Sequence, residues 1–504
     1  MMRRGAFLTF CLVVLAGPAG AQAIDAAGAE RLAADLRLYL GETAFSKGIV
    51  AVKADGDAYA LTIDLDAFAA MVPPETEAKV DVEPYRLRLK PLAGGTWAVS
   101  GPLLPNGSAA FKGPEGPQTI GWTVADSSFE GVYDPALAAF TSASGRHGPL
   151  TFKIDDPTQK ADISIQSGTF SLTGVKTASG GVDFQMTQDQ RGLVETIAGV
   201  SPDVPMNVSV RAERLDARSA GKNLNSRRML DLMAFLVANA DETRIKANQN
   251  ELKRLMLALL PVWDGMDGGQ TFENVGIDTP VGPVSAASFG LTMGMSGVTD
   301  GASIRYGVSL AEPKLPDGLL PPWAVALLPT RTELNFAGVN LDLDMAVRKA
   351  VEAFDLGRVP PMDPAVGDEI AALFLAEGPK FVIEPSMIRN ADTTFTIAGE
   401  VTGEPGGRPV VDMTVEAAGY DKLVAALTAA AKSDPIAQQA QPVALAGQTM
   451  AKRLPDGRLQ WVLEAGQDGS VRVNGTMLKP ADAPPSAPPG ATTPGVPGTL
   501  QHKP

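Results

Sequence analysis

Along most of the chain, apolar and polar residues alternate strictly. Tyr59, Leu61, Ile63 and Leu65 fall on one side of an extended segment, and Val80, Val82, Leu87 and Leu89 repeat the pattern around Pro84. Leu150, Phe152 and Ile154 follow, then Ile163 and Ile165, then Phe170 and Leu172. The second half resumes at Leu334 and Phe336, Leu341 and Leu343, Phe395 and Ile397, Val411, Met413 and Val415, and Val471 and Val473. Successive side chains of a strand point to opposite faces, so a period of two predicts strands with one dry and one wet face. Antiparallel sheets read this way, whereas parallel sheets give continuous apolar runs. Asp55-Gly56-Asp57, Gly94-Gly95, Asn106-Gly107, Gly180-Gly181 and Asn474-Gly475 punctuate the runs as turns.

The period changes between Asn225 and Leu260, where neither proline nor glycine occurs. Met229, Leu232, Met233, Leu236 and Val237 fall on one helical face, and Ile245, Leu252, Leu255, Met256 and Leu259 continue it, with Ser226 as N-cap. Unbroken, this would be one central helix on the order of 50 Å long. Asp241 is the residue that would restart or interrupt it, and the Met and Leu stripe reads as core packing.

A weaker echo links the halves. Leu61-Thr62-Ile63-Asp64-Leu65-Asp66 leads into Ala67, Phe68, Met71 and Val72. Leu341-Asp342-Leu343-Asp344 leads into Met345, Val347, Val351 and Phe354, and a third unit starts at Asp421. Each is a strand, an aspartate able to cap a helix, and an amphipathic helix. The expected fold is α+β and mostly antiparallel, with extended curved amphipathic sheets, one long central helix and a few shorter ones. Its expected divisions are a signal peptide (1–23), an N-terminal β-rich half (24–222), a helical segment (223–262), a C-terminal β-rich half (263–479) and a disordered Pro-rich tail (480–504).

The signal reading rests on Arg3 and Arg4, the apolar run Ala6 to Ala16 and the small-residue site Ala21-Gln22-Ala23. It predicts export to the periplasm, with no transmembrane anchor after cleavage. The one cysteine, Cys11, lies inside that segment, so the mature protein would have neither disulfide nor thiolate. The chain carries a net charge of −14, and loss of the two arginines takes it to −16. With no dense basic cluster, that balance argues against nucleic acid and against anionic lipid head groups.

Chemistry is sparse. The two histidines are His147, in Gly145-Arg146-His147-Gly148-Pro149 read as a turn, and His502 in the tail. They cannot build a histidine-rich metal site, and no Gly-x-Ser-x-Gly elbow or phosphate loop accompanies them. Asp64 with Asp66, and Asp342 with Asp344, would share strand faces. Such pairs can hold calcium or act as acid and base, but more often they are solvated strand faces and caps. No catalytic, cofactor-binding or metal-binding residue is assigned, and no cofactor is expected.

The segment Arg254–Leu260, then Phe272-Glu273-Asn274-Val275-Gly276-Ile277-Asp278-Thr279-Pro280-Val281-Gly282-Pro283-Val284, and the close Asp468–Gly475 resemble the YdgA-type family of bacterial envelope proteins. A looser similarity is to AsmA-like envelope proteins, which would imply a curved sheet with a greasy face and lipid binding. Three expectations stand: a protein that holds or shields lipid or another amphipath, a non-catalytic assembly factor binding another envelope protein, and a carboxylate-dependent hydrolase.

Overall fold

The computed structural model describes residues 24–69, 78–113, 116–199, 207–376, 378–403 and 408–482. The expected signal, 1–23, and the tail beyond Asp482 lie outside them. The described chain is mostly antiparallel sheet, open and curved.

The first half contributes β1 (Val50–Asp55), β2 (Ala58–Ile63), β3 (Lys79–Val82), β4 (Tyr85–Pro91), β5 (Trp97–Gly101), β6 (Gly107–Gly113), β7 (Gly116–Val124) and β8 (Ser128–Asp134). It continues through β9 (Ala139–His147), β10 (Leu150–Asp155), β11 (Gln159–Ile165), β12 (Ser167–Lys176), β13 (Val182–Gly199) and β14 (Asn207–Leu224). The second half adds β15 (Gly265–Thr279), β16 (Gly282–Ser296), β17 (Ala302–Ala311), β18 (Arg331–Leu341), β19 (Lys380–Arg389), β20 (Thr394–Thr402) and β21 (Val410–Ala418). Short strands β22 (Lys452–Arg453), β23 (Leu459–Ala465), β24 (Val471–Val473) and β25 (Thr476–Lys479) close it.

The early strands form two tracks side by side within one sheet. One runs β1-β2-β4-β5-β8-β9-β12 and the other β3-β6-β7-β10-β11. Both end on β13, whose residues 182–191 pair with β12 and residues 194–199 with β11. From β13 to β21 every strand pairs with the next in sequence, so the two halves are one hydrogen-bonded sheet. It narrows from 18 residues at β13 to seven at β23, or from about 60 Å to about 23 Å at ~3.3 Å per residue.

A seam between the tracks bends the sheet. Glu83-Pro84 separates β3 from β4, Gly148-Pro149 separates β9 from β10, and Asp126 (φ 51°) stands between β7 and β8. The seam continues through Gly192 (φ 64°) and Asn274 (φ 52°) inside the longer strands. Proline supplies no ladder donor, and a left-handed residue acts as a bulge that re-aims the strand beyond it. The apolar phase of β13 accordingly shifts, from Val182, Phe184 and Met186 before Gly192 to Leu193 and Ile197 after it.

Turn chemistry follows the sequence closely. Asn474 and Gly475 both have positive φ (48° and 77°) and join β24 to β25, as a two-residue hairpin with the right twist requires. Gly56 (φ 60°) sits in the loop between Asp55 and Ala58, which pair across β1 and β2.

Helices α1 (Ala26–Leu40), α2 (Glu42–Ser46) and α3 (Leu65–Ala69) accompany the first strands. Where one central helix is expected, the chain forms three: α4 (Ser226–Ala238), α5 (Glu242–Ala247) and α6 (Gln249–Leu259). Asp241 is the cause, because its carboxylate accepts from the N–H groups of Thr243 and Arg244 and starts a new helix. The chain then doubles back, with α4 packed on α6. Of the residues flanking this break, Leu230 and Leu252 are buried, while most of the expected stripe is only half-buried. Next come α7 (Pro322–Val325), α8 (Leu343–Ala353), α9 (Pro364–Ala376), α10 (Tyr420–Ala430) and α11 (Pro435–Met450). The helices α1, α4, α6, α8 and α9 pack successively on one another, at the sheet edge where β14 ends and β15 begins.

Two strand assignments are corrected. Leu65 and Leu343 belong to helices, because Asp64 and Asp342 end their strands as caps. Asp64 Oδ1 accepts from Asp66 and Ala67 N, and Asp342 Oδ1 accepts from Met345 N at 3.2 Å. At the third unit α10 is capped by left-handed Gly419, so Asp421 stands in the first turn instead. Asp342 is buried, 4 % exposed. Asp342→Ala should therefore lower stability by about 1–2 kcal/mol in denaturant melts, with Asp342→Asn recovering most of the loss.

Candidate functional site

The main core lies at the first-track end. Trp97, Tyr59, Tyr133, Leu89, Leu32 and Leu36 are its most fully enclosed side chains. Helix α1 brings Leu32 and Leu36 onto the apolar faces of β2, β4, β5 and β8, and Leu230 of α4 joins them. Smaller clusters lie at the other end, where Trp461 and Leu459 of β23 meet Tyr420, and where α10 packs on α11.

Between those ends no second layer among the described residues covers the sheet's apolar face. Residues directly opposed in an antiparallel ladder share a face, which lets that face be followed strand by strand. One such row runs Leu172, Met186, Ser219, Gly268, Met293, Tyr306, Phe336, Ile383, Gly399, Met413 and Leu463, from β12 to β23. Beside it run Met266, Met295, Ile304 and Phe381 on one flank, and Phe272, Phe289, Leu310 and Ile388 on the other. Phe272 stacks on Phe289 at 6.3 Å, and Phe336 on Phe381 at 5.8 Å. Eleven strands at about 4.8 Å make this tract about 48 Å long, more than the ~30 Å hydrocarbon thickness of a bilayer.

These side chains are not enclosed. Tyr306 is 53 % exposed, and Met293 and Phe381 are each 47 % exposed. Along that row no residue from Met186 to Met413 is buried. Large contiguous apolar exposure is uncommon in soluble monomers and marks a surface that meets something.

The opposite face is polar and tied by ion pairs. Arg214 bonds Asp189 at 2.5 Å and approaches Glu273 at 3.6 Å, Arg305 meets Glu384 at 3.2 Å, and Lys380 meets Glu400 at 2.9 Å. A hollow of about 520 Å³ opens in the middle of the sheet, lined by Met186, Met293 and Tyr306 as well as by Arg218, Asp267, Arg305 and Glu384. On the polar face Asp183 accepts from Asn223 N at 2.8 Å and from Lys222 Nζ at 3.2 Å. The backbone N–H first, and the ammonium second, hold its carboxyl below the usual carboxylate range. A lowered folded pKa gives stability that is present above the ordinary carboxylate range and lost as pH falls through the lowered value. Thermal melts should therefore fall on acidification, with a shallower acid limb in Asp183→Asn.

The residues that could carry chemistry are dispersed. His147 is the last residue of β9, paired with Gly168, and not in a turn. Its ring Nδ1 is 2.7 Å from Gly148 O. Asp64 caps α3, Asp66 accepts from Val82 N at 3.1 Å, and Asp344 pairs with Arg348 at 2.7 Å. Asp57 pairs with Arg88 and Lys90. None of these hydrogen bonds links His147 to either carboxylate pair. Among the described residues, no group of three His, Cys, Asp or Glu side chains is placed to hold a metal. No helix among them is long and apolar enough to cross a membrane.

Comparison with family models, curated proteins and solved structures gives no match. The apolar tract is the feature left standing. Among its strands the alternation read from sequence marks only β12, β18, β20 and β21, and it is the register that aligns Met293, Tyr306, Phe336 and Ile383 into one surface.

Proposed function

We propose that this is a non-catalytic, exported bacterial envelope protein that binds or shields lipid, or another amphipath, along its apolar sheet face. The supporting observation is the uncovered row from Met186 to Met413, anchored in packed clusters at either end. Acyl chains suit such a surface because their attraction is undirected and grows with the area removed from water, at about 25 cal/mol per Å². The polar reverse face, laced with ion pairs, keeps the other side in water. The Met and Phe side chains at the centre of the tract offer adaptable packing to a flexible chain. The expected periplasmic destination and the AsmA-like similarity agree with this reading.

Native mass spectrometry of gently purified protein tests it. Adducts of phospholipid mass, confirmed by solvent extraction, are the expected result. A lipid-free protein that also fails to take up a fluorescent phospholipid would sink the proposal. A second reading, docking to another envelope protein by strand addition, has one observation in its favour. β25 is an outermost strand, and Met477 and Leu478 on it are 47 % and 51 % exposed.

A further inference from the structure

Helix α11 carries no charged residue in its 16 positions. Asp434 caps it, accepting from Ile436 and Ala437 N, and Pro435 opens its first turn. One side buries Ala437 and Ala444, and Ala444 packs with Val424 and Leu427 of α10. Another side presents Ile436, Val443 and Met450, exposed by 64 %, 73 % and 40 %. These are seven residues apart, and at 100° per residue they fall within about 40° of one another on the helix surface. The neighbouring α7 segment adds Leu319 and Val325, both 52 % exposed, to the same helical cap.

Local charge points to the occupant. Residues 419–453 hold Lys422, Lys432, Lys452 and Arg453 against Asp421 and Asp434, a net of +2 within a chain of −14. Lys432 precedes α11 and Lys452 follows it. Among the described residues neither has an ion pair, whereas Lys422 is engaged by Asp392 at 2.6 Å. An uncharged helix with an outward apolar stripe and a free ammonium group at each end suits an interface where side chains enter the acyl boundary and lysines meet phosphates. A second copy meeting this cap with its own cap would set those lysines against each other. The cap also adjoins the narrow end of the apolar tract, through Tyr420 against Trp461 at 5.2 Å between ring centres.

We propose that the α7–α10–α11 cap docks on an anionic phospholipid surface, seating the narrow end of the sheet against a membrane. This differs from the expectation set by overall charge, because −14 is a whole-chain balance and the stretch 419–453 carries +2. The proposal stands apart from lipid carriage on the sheet, and each can fail alone.

The test is flotation of the full mature chain with vesicles of phosphatidylglycerol and phosphatidylethanolamine, and with phosphatidylcholine vesicles. Wild type should float with the anionic vesicles, more weakly with the neutral ones, and less as salt rises. Ile436→Glu with Val443→Glu should lower the bound fraction by about tenfold or more, and Lys432→Gln with Lys452→Gln by severalfold. These positions are exposed, and circular dichroism checks that the variants keep the fold. Met293→Glu with Tyr306→Glu should float like wild type, which separates docking from carriage. No flotation, or flotation unchanged in both cap variants, overturns docking. So does a concentration-dependent dimer that Ile436→Glu with Val443→Glu abolishes without any vesicle binding.

Discussion

Replacing Met293 and Tyr306 with glutamate is expected to strip co-purifying lipid from the protein while leaving it folded. The two residues face each other across β16 and β17 at the centre of the apolar row. Both are about half exposed, so charged replacements would be solvated in the lipid-free protein and should change stability little, by about 0.5 kcal/mol or less each. In the lipid-loaded protein the same carboxylates would lie against acyl chains, where an unpaired charge is costly. Loss of the two apolar contacts alone should exceed ~2 kcal/mol, which corresponds to at least about a tenfold fall in retained lipid. Thr292→Glu provides the contrast, because it lies one residue away on the polar face. That variant should keep its lipid. Equal loss in both would mean that the effect is general to the sheet and that the apolar face is not the binding surface.

The largest stability effect is expected at Trp97. It is 1 % exposed, faces Tyr133 in register across β5 and β8, and lies 6.1 Å from the Tyr59 ring. Trp97→Ala would leave a cavity between rings that the sheet holds apart, and such deletions cost about 3–5 kcal/mol. Phe381→Ala removes a ring of comparable chemistry from the uncovered part of the same sheet, where the ring is 47 % exposed. Its cost should be about 1 kcal/mol or less, because water already reaches much of that surface. Urea melts of the two variants thus report directly whether the middle of the sheet is an open face or a filled core. A Phe381→Ala cost as large as that of Trp97→Ala would mean that something covers the tract.

Much of the local structure was legible from residues alone. Alternation placed strands at Val80–Val82 and Leu87–Leu89 on either side of Pro84, and the structure breaks there for the reason proline gives, a missing donor. Asn474-Gly475 read as a hairpin and is one. The aspartates at 64 and 342 read as caps and do cap, but the alternation that carried on into Leu65 and Leu343 ran one step too far. Period two cannot announce its own end, and the cap carboxylate decides it. The unbroken helix was a similar overreach. Asn225 to Leu260 lacks glycine and proline, yet Asp241 satisfies two N–H groups locally and turns one helix into a hairpin of helices.

What the sequence determined by itself was the grammar of this protein: antiparallel strands with one dry face and the turns between them. These are local properties, set by side-chain period, by φ preferences and by residue type, and they need no partner strand to be read. What only the tertiary structure decided was whether the dry faces are covered. Helices α1 and α4 close them over β2, β4, β5 and β8, and α10 and α11 pack at the far end. Met293, Tyr306 and Phe381 in between are left bare, because the helices inserted after β14 and β18 pack on one another along the edge. An apolar residue in a strand carries the same signal whether its face meets a helix, a lipid or water. Register and layer order distinguish those fates, and both arise from contacts between residues far apart in the chain.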